Sequence, residues 1–302
     1  MNPSSTEIVA DFKSFFRVYK DGHVERYVEA DFVPPSEDPE TGVISKDVKI
    51  PPENDVIVRL YLPKNTNKKL PLLIYIHGGG FCIESALSSW YHPYLNRLVA
   101  EANVIALSIE YRLAPEFPIP ICYDDCWSVF KWLENGKDSE PWLRDHADFS
   151  RTFMAGDRAG ANISHEMMVR ASNESNCGFE KTGMNLEGVV LIHPFFGDDF
   201  FNDLWLYLGK ESNIGLDDPR LNPTLHPGIL SKIVCKKILI CTAEIDKVRH
   251  CGWSYYEAIK NSGWGGEVEI VEAEGEDHVF HLVNPGCDKA DILMKKMASF
   301  FN

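Results

Sequence analysis

From residue 70 onward the hydrophobic positions cluster into short, predominantly apolar runs, at 72–76, 104–109, 152–155, 186–192, 238–243 and 268–271. These runs alternate with longer stretches, such as 159–171 and 252–262, in which apolar residues recur with a helical period. A run apolar on both faces can only be buried on both faces, so the pattern predicts an α/β fold: a mostly parallel sheet covered by helices on either side. Before residue 70, β-rich segments at 15–20, 24–28, 43–50 and 56–62 predict antiparallel strands feeding one edge of that sheet. The rhythm breaks between 195 and 233, where aromatics, Asp, Pro and Asn crowd together. That segment, with residues 1 to about 40, is expected to form a small cap over the C-terminal edge of the sheet. There is no internal repeat, and the strongest punctuation is Pro34-Pro35, Pro51-Pro52 and the stretch from Pro115 to Pro120.

The candidate chemistry lies where predicted strands end. His77-Gly78-Gly79-Gly80-Phe81 follows the strongest run, and consecutive glycines free a turn to present backbone N–H groups to an anion. Alone, such a run is equally a tight turn. A second motif supports the chemical reading: Gly156-Asp157-Arg158-Ala159-Gly160 closes the run at 152–155 and opens the helical stretch after it. Small residues two positions either side of the centre are what a nucleophile elbow needs, because strand and helix pack there too closely for side chains. Its central residue takes a strained, positive φ.

With these motifs the sequence resembles the plant carboxylesterase family, related to hormone-sensitive lipase. The likeness runs over nearly the whole chain, through Phe16-Arg17-Val18-Tyr19-Lys20-Asp21-Gly22, Ser45-Lys46-Asp47-Val48, Tyr111-Arg112-Leu113-Ala114-Pro115-Glu116 and Gly275-Glu276-Asp277-His278-Val279-Phe280. The resemblance implies an α/β-hydrolase fold, hydrolysis of small carboxylic esters, and an oxyanion hole at the His77 loop made by Gly78 and Gly79 with the N–H of Ala159. It further implies Asp246 as triad acid and His278 as general base, in the chain order this fold uses. Asp246 has a competing reading as a helix N-cap before 247–250, and His281 competes with His278 for the role of base.

Arg158 departs from the family pattern, standing where the nucleophilic serine belongs. A guanidinium stays protonated and has no usable lone pair, so no acyl-enzyme can form on it. Ser150 precedes the strand run and Ser164 lies one turn into the helix, so neither replaces it. Loss of a triad serine costs on the order of 10⁶ in rate. Three readings follow: a decayed esterase; a small-molecule binder, as in the gibberellin receptors, which resemble this family but keep the serine and lose the histidine; or a proton-transfer enzyme, as in the related hydroxyisoflavanone dehydratases and alkaloid cyclases, with His278 as base. The charge of Arg158 either pairs with a carboxylate ligand or swings onto Asp246 and plugs the site. Within the 195–233 segment, Phe200, Phe201, Trp205 and Tyr207 are candidates for lining the pocket. Tyr123-Asp124-Asp125-Cys126-Trp127 reads as a helix start capped by Asp124 or Asp125.

Composition narrows the rest. The 302 residues suffice for one large core and a single catalytic domain. With Lys+Arg 30 against Asp+Glu 45 and a formal charge of -15, nucleic acid and anionic membrane surfaces are disfavoured as partners, leaving a small ester or carboxylate ligand and a monomer or dimer. No basic-then-apolar leader opens the chain, so a cytoplasmic setting is expected, with a nuclear one as the alternative. The eight cysteines lack paired spacing and are expected to be free thiols, and neither a metal site nor a cofactor is expected.

Overall fold

The computed structural model describes residues 6–51, 56–64, 66, 68–136, 140–173, 184–197 and 199–302. Strands β1 (Ile8–Phe12), β2 (Phe16–Tyr19) and β3 (Val24–Arg26) pair antiparallel into a three-stranded sheet of their own. This corrects the expectation that 15–20 and 24–28 join the edge of the main sheet. Their burial lies elsewhere: Phe16 is fully buried in the main core, and the Phe12 ring sits 4.9 Å from that of Tyr207.

The main sheet has eight strands: β4 (Ile44–Lys49), β5 (Ile57–Leu62), β6 (Leu70–Ile76), β7 (Ile105–Glu110), β8 (Ala147–Asp157), β9 (Leu186–Ile192), β10 (Lys237–Ala243) and β11 (Glu267–Ala273), in the spatial order β11-β10-β9-β8-β6-β7-β5-β4. Every ladder from β11 to β7 is parallel, and β5 pairs antiparallel with both β7 and β4. The predicted edge is thus present at 43–50 and 56–62. The six apolar runs are the six parallel strands.

Alternation along each strand divides two cores. Leu72, Ile74 and Ile76 point to one face with side chains of α2 (Ile121–Gly136) and α4 (Ala159–Asn173), and with Tyr255 and Ile259 of a later helix, while Leu73 and Tyr75 point to the other with those of α1 (Tyr91–Ala102). After α3 (Pro141–His146) and α4 come the short α5 (Asn202–Leu208) and α6 (Pro227–Leu230). The later helix, α7 (Arg249–Asn261), completes the first face, and α8 (Phe280–Val283) with α9 (Asp288–Phe300) completes the second. Burial on both faces is why the five inner parallel strands carry no regular polar alternation, whereas β11 at the sheet edge alternates Glu267, Val268, Glu269 and Ile270 with both glutamates exposed. Parallel strands also end at one edge, so the loops after β6, β8, β10 and β11 converge there, bringing residues 77, 158, 246 and 278 together from distant parts of the chain.

Asp125 does not cap α2. It is fully buried and accepts hydrogen bonds from Arg112 at its backbone N (3.0 Å), Nε (2.9 Å) and Nη2 (2.6 Å), clamping the loop after β7. Asp124 lies in the first turn of α2, and Trp127 is a core residue. The cysteines of the described residues are free; Cys177 lies outside them.

Candidate active site

The turn after β8 keeps the elbow geometry although its centre is arginine. Arg158 has φ 53°, donates its N–H to the Ile192 carbonyl (2.9 Å) and is followed at once by α4. A Cβ on Gly160 would lie 2.0 Å from the Ile76 carbonyl oxygen, and one on Gly156 would lie 2.5 Å from Gly160. Glycine is therefore compulsory at both flanks. Asp157, beside the centre, is buried and accepts from Tyr75 Oη (3.0 Å) and Tyr91 Oη (2.8 Å), while burial pushes its carboxyl pKa up.

The glycine loop after β6 is pinned from both sides. Tyr111 Oη donates to the carbonyls of His77 and Gly78, each at 3.0 Å, and the Tyr111 ring stacks on His77 at 4.2 Å. The Gly78 N–H donates to Tyr91 Oη at 2.8 Å, so it is not available to a bound oxygen. That corrects the expected donor set. Among the described residues, the N–H groups of Gly79, Gly80 and Ala159 have no acceptor, and of these Gly80 and Ala159 border the cavity, whereas His77, Gly78 and Gly79 do not. His77 is buried, pushed down to about 3 by burial, and its Nε2 has no partner.

The expected acid and base meet. Asp246 Oδ2 accepts from His278 Nδ1 at 2.7 Å, and its other oxygen accepts the Val248 N–H at 2.9 Å, so Asp246 holds the turn into α7 and orients His278 at the same time. The N-cap of α7 itself is Val248, so Asp246 braces the turn before the helix rather than capping it. Burial alone would raise its pKa, but the hydrogen bonds from His193 and His278, the charge of His278 and the Val248 N–H together hold the carboxyl well below its usual range. His281 is not the base: it is buried with both ring nitrogens unpartnered, stacked against His193.

His193 went unnoticed in the sequence. It is fully buried just past β9 with φ 45°, and its Nδ1 shares Asp246 Oδ2 at 2.9 Å; burial lowers its pKa, so it stands as a neutral N–H donor. A lone His-Pro after a strand carries no spacing signal that could have revealed this. His193, Asp246 and His278 form the one cluster of three metal-ligating side chains among the described residues, their donor atoms within 4.8 Å of one another. Positive φ at non-glycine residues concentrates around the site, at Ser14, Phe81, Glu84, Arg158, His193 and Val279.

These groups open onto a cavity of about 300 Å³ that Arg158 and His278 border. Phe201 and Trp205 line it as expected, but Tyr207 instead packs on Phe12 and Phe16, and the side chain of Phe200 lies outside the described residues. Arg158 does not plug the site. Among the described residues it makes no ion pair, its Nε is buried without an acceptor, and Asp246 is already engaged by two imidazoles and a backbone N–H. Its stem crosses Gly78, where a Cβ would come within 3.1 Å of Arg158 Cδ. No replacement hydroxyl stands by: Ser164 Oγ donates to the Gly160 carbonyl, Ser150 is exposed and bonded to Asp148, and Ser14, which borders the cavity, makes no hydrogen bond to His278.

The alpha/beta hydrolase fold family matches this chain over residues 73–211 and 201–282. Probable carboxylesterase 7 of Arabidopsis thaliana is 43% identical over 314 residues, covering 98% of each chain. A 2-hydroxyisoflavanone dehydratase of Glycyrrhiza echinata is 41% identical, covering 98% of this chain and 97% of the relative. Among solved structures, the thermostable carboxylesterase EstE1 from a metagenomic library superposes with a TM-score of 0.70 at 24% identity, covering 91% of this chain and 90% of that one. No helix among the described residues is long and apolar enough to cross a membrane.

Proposed function

The chain belongs to the plant carboxylesterase family of α/β-hydrolases, and from that premise we propose that it is a family member in which acyl transfer has been silenced at position 158 while the small-molecule site around it is retained. One observation carries this reading: the tip of the elbow, inside the cavity and beside a histidine already oriented by its acid, holds a guanidinium. The usual first step would have His278 take the proton of a serine hydroxyl as its oxygen attacks an ester carbonyl. Arg158 has no hydroxyl to give and no electron pair to attack with. What remains is an imidazole held by Asp246, N–H donors at Gly80 and Ala159, and an apolar cavity able to take a small ester or carboxylate. The β1–β3 sheet and residues 195–233 act together as the cap, a reading supported by the Phe12–Tyr207 contact and by Phe15 against Phe201 at 6.1 Å.

A second reading is favoured by the intact pairing of His278 with Asp246 and by the likeness to a protein named 2-hydroxyisoflavanone dehydratase: proton abstraction next to a carbonyl, which needs a base and an oxyanion site but no nucleophile. The test is hydrolysis of p-nitrophenyl acetate and butyrate by the purified protein beside Arg158→Ser. The variant should gain a burst and a turnover about 10³-fold or more above the parent, which stays at background. Parent turnover matching that of the variant would overturn the reading, and its loss in Ser14→Ala would then identify the nucleophile. Turnover of a β-hydroxy ketone by the parent, abolished in His278→Ala, would select the proton-transfer reading.

A further inference from the structure

A half-buried guanidinium that borders a cavity and has no ion-pair partner among the described residues favours an anionic guest, and the surroundings of Arg158 specify which kind. Among the described residues no carboxylate side chain borders the cavity, and the ionisable groups that line it are Arg158 and His278. The two acids nearest in charge, Asp157 and Glu84, make no ion pair with Arg158; burial pushes both carboxyls toward their neutral forms, Asp157 is already bonded to two tyrosines, and Glu84 leaves one buried oxygen unpartnered. Two independent sets of donors without a partner among the described residues thus border the cavity: the guanidinium of Arg158, and the backbone N–H groups of Gly80 and Ala159.

Much of the remaining lining is a preassembled apolar wall. Phe81 meets Trp205 edge-on at 6.0 Å and Phe195 at 6.2 Å, and Phe195 meets Phe201 at 5.5 Å. Rings locked edge to face leave their remaining faces and edges for an aromatic guest. The cavity volume of about 300 Å³ lies at the low end of small-molecule sites, so the guest is small.

We propose that this cavity binds a small aryl-bearing monocarboxylate, its carboxylate between Arg158 and the N–H groups of Gly80 and Ala159, and its ring against Phe81, Phe195 and Trp205. The assignment rests on the reading that Arg158 replaces the nucleophile. An active relative would use the same donors transiently on a developing oxyanion; here a fixed cation makes the anionic ground state itself the preferred occupant, and no bond is made or broken. A phosphate or sulfate dianion would ask for more donors than these groups offer, and its lack of an apolar body would leave the aromatic wall unfilled.

The test is calorimetric titration of the purified protein with 3-phenylpropionate and with 3-phenylpropanamide, which share a body and differ in charge, alongside acetate and inorganic phosphate. The acid should bind about tenfold or more tightly than the amide, as expected for a charge-assisted hydrogen bond, and more tightly than acetate or phosphate. In Arg158→Met, which keeps the stem and drops the charge, acid and amide should bind within about threefold of each other; Arg158→Ser serves as a second variant if Met does not fold. Equal binding of acid and amide by the parent, binding of neither, phosphate or acetate binding as well as the acid, or acid preference surviving in Arg158→Met would each overturn the proposal. None of those results depends on ester turnover, so the hydrolysis assay separately decides whether Arg158 silences the triad.

Discussion

Asp246→Asn is the substitution whose cost follows most directly from the site. The side chain is 2% exposed and accepts from His193 Nδ1, His278 Nδ1 and the Val248 N–H. Asparagine can keep the bond to Val248, but its NH₂ then faces the two imidazole N–H groups. Each charge-assisted bond lost is worth about 1.5–3 kcal/mol, and ring tautomers can switch to recover part of it, so a net loss of about 3 kcal/mol is expected. Unfolding entropy of about 2.1 cal/mol/K per residue across 302 residues converts this to a drop of about 5 °C in Tm. The pH dependence has a definite sign. Because the folded pKa of Asp246 is depressed, its contribution is fully present above the unfolded value of about 3.9 and is lost as pH falls through the folded value. The Tm gap between parent and variant should therefore be constant from pH 7 to 5.5 and narrow below about pH 4. In the Arg158→Ser background the same change should lower kcat by about 10⁴, since the imidazole loses its orienting partner. Thermal melts across that pH range provide the measurement. A variant melting within about 1 °C of the parent at pH 7, or a gap that persists unchanged in acid, would refute the account of Asp246 as the organising acceptor.

Two further substitutions probe the supports of the site. Gly160→Ala should cost about 3 kcal/mol or more, because its Cβ would meet backbone oxygens at 2.0 and 2.6 Å; Gly228→Ala, with nothing within 4 Å, should stay within about 0.5 kcal/mol, and thermal melts of both read the difference. His193→Ala should lose about 1.5–3 kcal/mol of stability and, in the Arg158→Ser background, about tenfold in kcat. His193→Asn should recover most of both, since asparagine offers an N–H near the Nδ1 position and tolerates the positive φ; equal loss in the two variants would mean that ring packing on His281, not the bond to Asp246, is what matters.

The sequence disclosed what depends on local pattern. The parallel strands were legible because burial on two faces forces runs such as 189–192 to be apolar throughout, and the elbow because Gly156 and Gly160 stand at a fixed spacing within one short motif, even though the backbone that excludes their side chains includes Ile76 and His77. What stayed hidden depends on partners far along the chain. The β1–β3 sheet looks like any other short strands until Tyr207 and Phe201 are seen against it, and the Gly78 N–H looks free until Tyr91 takes it. His193 gives no signal in a single chain because Asp246, the acceptor of its side-chain hydrogen bond, is 53 residues away.

Arg158 separates two things that are joined in an active relative. The forces that shape the turn are the missing side chains at 156 and 160, the tyrosine-held Asp157 and the start of α4, and none of them involves the atoms at the tip. Arginine at φ 53° costs on the order of 1–3 kcal/mol, small beside the packing that enforces the turn, so the backbone keeps its shape. Asp246 likewise engages His193, His278 and Val248 without reference to position 158. The scaffold can thus outlive its nucleophile intact, and a single substitution at the tip changes what the cavity attracts without changing how it is built. This is why Arg158→Ser should restore chemistry rather than merely relieve strain, and why the charge at 158 should be readable as a ligand preference in the protein as it stands.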